Sequence, residues 1–600
     1  VAQTAQATRR TPLYFGGRIG WLHEPADASK AYGMGAVLCA PFGQEEICAH
    51  YGVMMLAETL AAAGIPSVRF DYLGTGNSAD FEFSLATFNT DVEQAAALLR
   101  QHCGPCPIAL IGARLGATVA TLAAENIKGV QAFVLMAPVL SGAMYMRETR
   151  AAAAVSRLAS RDPVPPLESG LVLNTNGFHW TGALQQEVAA TDITKIAAPQ
   201  VPVLMLPSAQ DRRAGKVAAE WKTAGTAVTE IPFDDYADWM QDPTTSTVPQ
   251  KSFTAVAEWL SALPPASPAT SIEPDNVSKQ LVQGNYIEEP IQFGAEGNLF
   301  GILCRPVSGG AESVAALLLH EGSSHTIGNG RAYVALARRL ASEGVTSFRI
   351  DLSSTGDSPT GTNTRHPHYD LERMPEISMA LDVLEARGFH KATAFGLCSG
   401  AYTAFQAALI DERIVACVLT NLQKFKWHYG DDIRVAYRSS KRTIKGYLRA
   451  LKRRGEWKRI LSGDVDFTGI VRVLSRRGIS RVKQAVQNML PPAPDSEVAF
   501  VRAQMNVLSS RKVHTYLIYS DDDPGLADLW MHFGRRARRL QNFAPASVDL
   551  VDYADHHFNG TSARKRYYDL ATNFMLAIVA KHTATPARDS MKESTMAYHG

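Results

Sequence analysis

The chain has 600 residues, of which 46% are apolar and 20% charged, with 45 Gly and 31 Pro. That composition excludes a wholly disordered, collagen-like or low-complexity chain and leaves ample material for cores, at roughly 100–200 residues per domain. The net charge is only +2, so bulk charge does not mark the whole chain as a polyanion binder.

At the N-terminus, Arg9 and Arg10 are not followed by the apolar run of a secretory signal. No stretch reaches the roughly 18 apolar residues of a membrane span. Seven cysteines at scattered positions do not resemble a disulfide framework, so a reducing cytoplasm is the default expectation.

The first β-run is Gly35-Ala-Val-Leu-Cys-Ala-Pro-Phe-Gly43, followed by an amphipathic helix and Arg69-Phe-Asp-Tyr-Leu-Gly-Thr-Gly-Asn-Ser78. A helix over Val92–Gln101, a short β-run and the glycine turn Gly112-Ala-Arg-Leu-Gly-Ala117 come next. Between helix and strand lies Cys103-Gly-Pro-Cys106. It has redox-dithiol spacing but the wrong context, because that motif follows a strand and opens a helix. We read it as structural. The segment Pro264-Pro-Ala-Ser-Pro-Ala-Thr-Ser-Ile-Glu-Pro-Asp275 reads as an interdomain linker, placed at 264–280.

The pattern then repeats. Ala315–His320, Val345–Asp351, Ala392–Gly396 and Ile414–Leu419 read as parallel strands buried on both faces. Arg349-Ile-Asp-Leu-Ser-Ser-Thr-Gly-Asp-Ser358 copies the segment ending at Ser78, and Gly396-Leu-Cys-Ser-Gly-Ala401 copies the turn at Gly112. Neither Gly74–Ser78 nor Ser354–Ser358 is a phosphate loop, since no Gly-Lys-Ser/Thr follows. A period near 280 residues means two complete domains rather than a solenoid. The alternation of strands and helices predicts an α/β fold, a mostly parallel sheet flanked by helices, in each copy. The expected domains are 1–263 and 281–582, with a polar tail at 583–600.

Gly396-Leu397-Cys398-Ser399-Gly400 follows a β-run and opens a helix, the geometry of a nucleophile elbow. Flanking glycines permit a sharp turn that presents the middle side chain at the strand's C-terminal edge, where open α/β sheets place their sites. Alone, Cys398 reads first as functional, with a buried structural cysteine in a tight β–α turn as the alternative. The order of later residues favours chemistry. After the β-run Val513–Tyr519 comes Ser520-Asp-Asp-Asp523-Pro524, and after Ser547–Val551 comes Asp552-Tyr-Ala-Asp-His556-His557. A histidine on the second loop would deprotonate Cys398, and a carboxylate on the first would fix the imidazole tautomer.

These residues resemble the α/β-hydrolase superfamily across about 290 residues. They resemble most the hydrolase-like proteins of exosortase and exopolysaccharide systems, with their Gly-Leu-Cys-Ser-Gly-Ala elbow and Ala-Asp-His motif. The resemblance implies Cys398 as nucleophile, Asp523 as acid and His556 as base, with His557 a rival base. It implies an oxyanion hole from Ser399 and the His320-Glu321-Gly322 loop. Cysteine in place of serine is similar to dienelactone hydrolases and polyhydroxyalkanoate synthases, and keeps acyl transfer open.

In the first copy Arg114 replaces the nucleophile, and arginine cannot serve as one. Asp211 matches the acid, but no histidine occurs between His179 and His320, and the matching loop reads Phe233-Asp-Asp-Tyr-Ala-Asp-Trp239. This half resembles exosortase-associated hydrolases with Arg at the elbow. It reads as a pseudo-enzyme domain, with Arg114 at a helix N-terminus a candidate anion-binding residue.

Between the strands ending at Leu419 and starting at Val513 lies an insertion, a lid expected over about 424–490. Residues 424–483 carry 18 Lys/Arg and 5 Asp/Glu, a net +13, against −11 for the rest. A helix is expected around Tyr447–Ile460. Such a lid would attract an anionic acyl substrate (acyl-CoA, acyl carrier protein or acidic glycan) or touch anionic lipid at a membrane periphery, and it reads equally as a solvated helical cap docked on the acidic remainder of the chain; no nucleic acid is expected. The function read from the sequence is thiol-based acyl transfer without cofactor or metal, most simply by an esterase- or thioesterase-like hydrolase. The alternatives are an acyltransferase to an alcohol or amine, and a non-catalytic tandem scaffold.

Overall fold

The computed structural model describes residues 8–27, 33–160, 173–209, 211–264, 273–309, 313–322, 324–359, 367–428, 431 and 493–583. Most of the expected lid, including Tyr447–Ile460, and the tail after residue 583 lie outside the described residues.

Two nine-stranded sheets carry the two copies. In the first half the strands are β1 Thr8–Phe15, β2 Arg18–Pro25, β3 Gly35–Cys39, β4 Ser67–Phe70, β5 Ile108–Ala113, β6 Val130–Met136, the hairpin β7 Leu173–Thr175 and β8 Phe178–Trp180, then β9 Val203–Leu206, β10 Val228–Glu230 and β11 Val277–Ser278. The second half contributes β12 Leu281–Gln283, β13 Tyr286–Phe293, β14 Leu299–Pro306, β15 Val314–Leu319, β16 Ser347–Asp351, β17 Lys391–Leu397, β18 Ile414–Thr420, β19 His514–Ser520 and β20 Ala546–Val551. The first sheet runs β10-β9-β6-β5-β3-β4-β2-β1-β11 and the second, read from its far edge, β20-β19-β18-β17-β15-β16-β14-β13-β12, the same topology twice. Six strands of each sheet run parallel; β2 and β14 join them antiparallel. β3 and β15 are buried along their whole length. Apolar side chains on both faces demand a helical layer on each side of the sheet, which is why short apolar runs fold here as central strands.

The linker is less detached than its composition predicts. Its end, Val277–Ser278, pairs with β1 (Tyr14 opposite Ser278), so the chain leaves one sheet edge and directly starts the other. A shared core follows. Trp21 packs edge-on to Phe300 with ring centroids 4.6 Å apart, and both belong to one buried cluster drawn from the two halves. Arg331 donates to the carbonyls of Gly74, Gly76 and Ser78. Thus the Gly74–Ser78 turn, read from sequence only as a loop, is interface.

Arg349 and Arg338 close on Glu288 at 2.8 and 2.6 Å. Burial opposes ionisation of Glu288, but the two guanidiniums outweigh it and hold its carboxyl down at about 2. No described helix is long and apolar enough to cross a membrane.

Candidate active site

β17 ends at Leu397, and the chain turns through Cys398 into the helix Ser399–Ile410. Cys398 adopts φ 54° and ψ −115°, a conformation an L-residue holds only under strain. The surroundings explain how it is kept. The Cys398 N–H donates to Thr420 at 2.9 Å, tying the turn to β18. A Cβ on Gly396 would lie 2.1 Å from the backbone of Gly400, and one on Gly400 would lie 2.3 Å from the carbonyl of Leu319. Only glycine lets this helix sit so close to β15 and β17.

The side chain of Cys398 does not stand exposed at the strand edge as the elbow pattern predicts. It is 2% exposed. Tyr369 lies over it, its hydroxyl 4.0 Å from Sγ, and Tyr369 itself stacks on Trp427 at 3.9 Å between centroids. Sequence reasoning missed Tyr369, which lies far from any recognisable motif, whereas Trp427 falls at the start of the expected lid.

Asp523 follows β19 on a tight loop and is buried. Its Oδ1 accepts from the Gly525 N–H at 2.8 Å and from Gln423 Nε2 at 2.7 Å. Its Oδ2 lies 2.6 Å from His556 Nδ1. Asn421, just past β18, fixes the histidine loop by donating to the His556 carbonyl at 2.7 Å, while its Oδ1 accepts from the Ser520 N–H. Three consecutive strand ends thus deliver Cys398, Asn421 and Asp523 to one place, and His556 reaches them from the loop after β20. Burial disfavours imidazolium at His556, yet Asp523 and Cys398 raise its pKa well above the ordinary imidazole value. His557 is pushed the other way, by burial and by the charges of His556 and Arg564. Of the two candidate bases, the geometry sets His556 against the carboxylate.

The expected oxyanion residues are arranged less simply. The Ser399 N–H opens a helix, where it has no intrahelical partner. The Gly322 N–H, expected to point at an oxyanion, donates instead to Ser399 Oγ at 2.8 Å. Glu321 turns its carboxylate to the Asn329 N–H at 3.0 Å, so its side chain braces the loop. His320 is buried, its pKa held at about 3 by desolvation and by Arg373, and in its neutral form it can accept from the Leu352 N–H.

The first half repeats the elbow with Arg114 at φ 54° and ψ −122°. Its guanidinium lies between the rings of Tyr145 and Tyr236, and Nε donates to Glu45 Oε1 at 2.8 Å. Tyr145 donates to the other oxygen of Glu45 at 2.9 Å. Arg114, the candidate anion-binding residue, is thus paired with the chain's own Glu45. A cavity of about 410 Å³ remains above it, lined by Arg114, Tyr145, Glu148, Asp211, Arg213 and Tyr236. Asp211 turns to cap the helix Arg212–Thr223, accepting from the Arg213 N–H at 2.9 Å. Glu45 was not singled out from sequence, since acidic residues open many helices for dipole reasons alone.

Cys103 and Cys106 are free thiols, and burial pushes the Cys103 thiol up to about 12. A raised thiol pKa works against the thiolate that a redox dithiol needs. Among the described residues Glu46, His50 and His325 approach closely enough to hold a cation. The two imidazoles, however, stack at 3.8 Å and 19°, an arrangement in which their in-plane lone pairs do not converge on one ion.

Comparison with known proteins agrees with the duplicated architecture. Residues 35–212 match the family model described as serine aminopeptidase, S33, and residues 316–570 match the alpha/beta hydrolase family. The protein is two α/β-hydrolase domains in tandem. Solved structures that the chain matches include Est1E from Butyrivibrio proteoclasticus (15% identity, 42% of this chain and 97% of that one, TM-score 0.30). Others are a proline iminopeptidase from Mycobacterium smegmatis (14%, 49% and 99%, 0.30) and an esterase from Pyrobaculum calidifontis (13%, 42% and 85%, 0.31). No curated protein matches the chain.

Proposed function

We propose that the second domain is a thiol-nucleophile acyl-transfer enzyme, working as a hydrolase of an ester or thioester through an acyl-cysteine. The observation that supports this reading is His556 Nδ1 at 2.6 Å from Asp523, on an imidazole whose pKa is raised by Asp523 and by Cys398, the residue at the strained elbow. His556 takes the thiol proton and the thiolate adds to the acyl carbonyl. The oxyanion forms at the Ser399 N–H, and the Gly322 N–H joins it when Ser399 Oγ turns away. Collapse expels the alcohol or thiol, which receives the proton from His556 and leaves the acyl group on Cys398. Water, deprotonated by the same imidazole, then releases the acid.

The cover of Tyr369 and Trp427 over a 2%-exposed thiol favours a second reading. An acyl-cysteine shielded from water lasts long enough to meet an alcohol or amine, which makes an acyltransferase. The net +13 of residues 424–483 supports an anionic acyl donor. The test is turnover of a panel of p-nitrophenyl esters and acyl-CoAs, with and without added alcohols and amines, read by product mass. Cys398→Ala is expected to abolish it; persistence of turnover in that variant removes the proposed nucleophile.

A further inference from the structure

The first domain reaches two loops of the second domain's site. The hairpin β7–β8 carries Asn174, whose Nδ2 donates to the backbone carbonyl of Asn559 at 3.0 Å, three residues beyond His556. Asn559 is 6% exposed, and its Oδ1 accepts from Asn329 Nδ2 at 2.8 Å and from Arg564 at 3.1 Å. Asn329 also donates to the carbonyl of Asn176 at 2.9 Å, and its own N–H holds Glu321 in the loop that follows β15. Asn329 and Asn559 therefore join the oxyanion loop to the histidine loop, and the joint is clamped from outside by the hairpin. The fit is close. A Cβ on Gly177 would lie 2.6 Å from Asn559 Oδ1, and one on Gly330 would lie 2.5 Å from the Gly177 carbonyl. A second contact comes from the loop holding Thr244, whose carbonyl lies 3.4 Å from His368 Nε2, next to Tyr369 over Cys398.

We propose that the first domain, though without a nucleophile or a base of its own, is a positioning component of the second domain's active site: its β7–β8 hairpin, through Asn174 and Asn176, holds the Asn329–Asn559 joint that sets the His556 loop against the oxyanion loop. This rests on the acyl-transfer reading of Cys398 and His556. Asn174 is a positioning residue, acting through Asn559 on the segment that carries the base. A catalytic group displaced by about 1 Å can cost on the order of a hundredfold in rate, so one clamp bond has leverage.

The test uses the full chain as wild type, Asn174→Ala and Gly177→Ala, with two readouts. One is kcat and KM for acyl turnover. The other is the titration of the His556 imidazole by NMR on histidine-labelled protein, assigned by loss of the signal in His556→Gln. Asn174→Ala removes the bond to Asn559, the 2.7 Å bond from the Gly177 N–H to Asn174 Oδ1 and the 3.3 Å contact with His179, all on one half-buried hairpin, and is expected to leave the thermal unfolding midpoint within a few degrees. It is expected to lower kcat about tenfold with KM within about twofold, and to move the His556 midpoint toward the ordinary imidazole value. Gly177→Ala, which forces the hairpin off Asn559, is expected to do more of the same. If both variants keep the wild-type kcat and the wild-type His556 midpoint, the positioning role is overturned. If the wild type itself fails to acylate Cys398, the acyl-transfer reading fails, and the His556 titration alone still decides whether the hairpin holds the loop.

Discussion

Nδ1 of His556 stands 2.6 Å from Oδ2 of Asp523, while its neighbour His557 is turned so that the two rings meet at 85°. Only His556 can be both oriented by the carboxylate and charged beside Cys398. His556→Gln is expected to lower acylation of Cys398 by about 10²–10⁴-fold, the usual scale for removing a general base. His557→Gln is expected to cost less than about tenfold, because it removes a neutral buried ring that does no proton transfer. Single-turnover acylation with each variant checks both.

The carboxylate makes a separate prediction about pH. Asp523 and Cys398 raise the His556 pKa in the folded chain. A raised imidazole contributes stability that is full below the ordinary value of 6.5 and is lost as pH rises through the folded value. Asp523→Asn keeps an oxygen for the Gly525 N–H but removes the charge. Its destabilisation, read by thermal unfolding, is expected to be largest at pH 6 or below and to shrink as the medium becomes alkaline. A penalty that grows with pH would contradict this assignment.

Across the domain boundary, Arg69 forms an ion pair with Asp357, N···O 2.5 Å, and Asp357 also faces His50 at 3.3 Å. Burial opposes its charge, but these cations hold Asp357 well below the ordinary carboxylate range. Asp351, buried beside it, goes the other way, raised by burial and by the charge of Asp357. A depressed carboxylate contributes stability above its unfolded pKa and loses it as pH falls through the folded one; a raised carboxylate loses stability as pH climbs from 3.8 toward its folded value. Asp351→Asn is therefore expected to gain stability relative to wild type as pH rises from 5 to 9. Asp357→Asn strands Arg69 and is expected to cost about 3–5 kcal/mol at neutral pH. Unfolding midpoints against pH distinguish the two.

In the first domain, Arg114 and Glu45 neutralise one another between Tyr145 and Tyr236. Arg114→Ala is expected to cost about 1–3 kcal/mol by leaving Glu45 in a half-buried site without its cation. The double variant Arg114→Ala/Glu45→Gln is expected to recover part of that. A coupling energy near zero in the double-mutant cycle would show that the ion pair does not hold this elbow.

The fold was legible because the residues that force it are local. The all-apolar strand β15, and glycines at 396 and 400 that no other residue could replace without a clash, each announce themselves in a short window. The order Cys398, Asp523, His556 was readable for the same reason, since each lies just past a β-run. What escaped depends on the approach of distant segments. Nothing around Asn174 or Asn559 signals that they meet across 385 residues. Glu45 looked like any acid at a helix start, and Tyr369 like any aromatic. The exposed thiol predicted from the elbow became a covered one because exposure is set by what packs over the turn, which the turn's own sequence does not encode.

The most direct measurement is the mass of the Cys398 peptide after brief incubation of the full chain with an activated acyl thioester and acid quench. The account predicts one added acyl group on Cys398, formed in wild type, strongly reduced in His556→Gln and absent in Cys398→Ala. An unmodified Cys398 across short and long acyl chains, or equal labelling in wild type and His556→Gln, would contradict it.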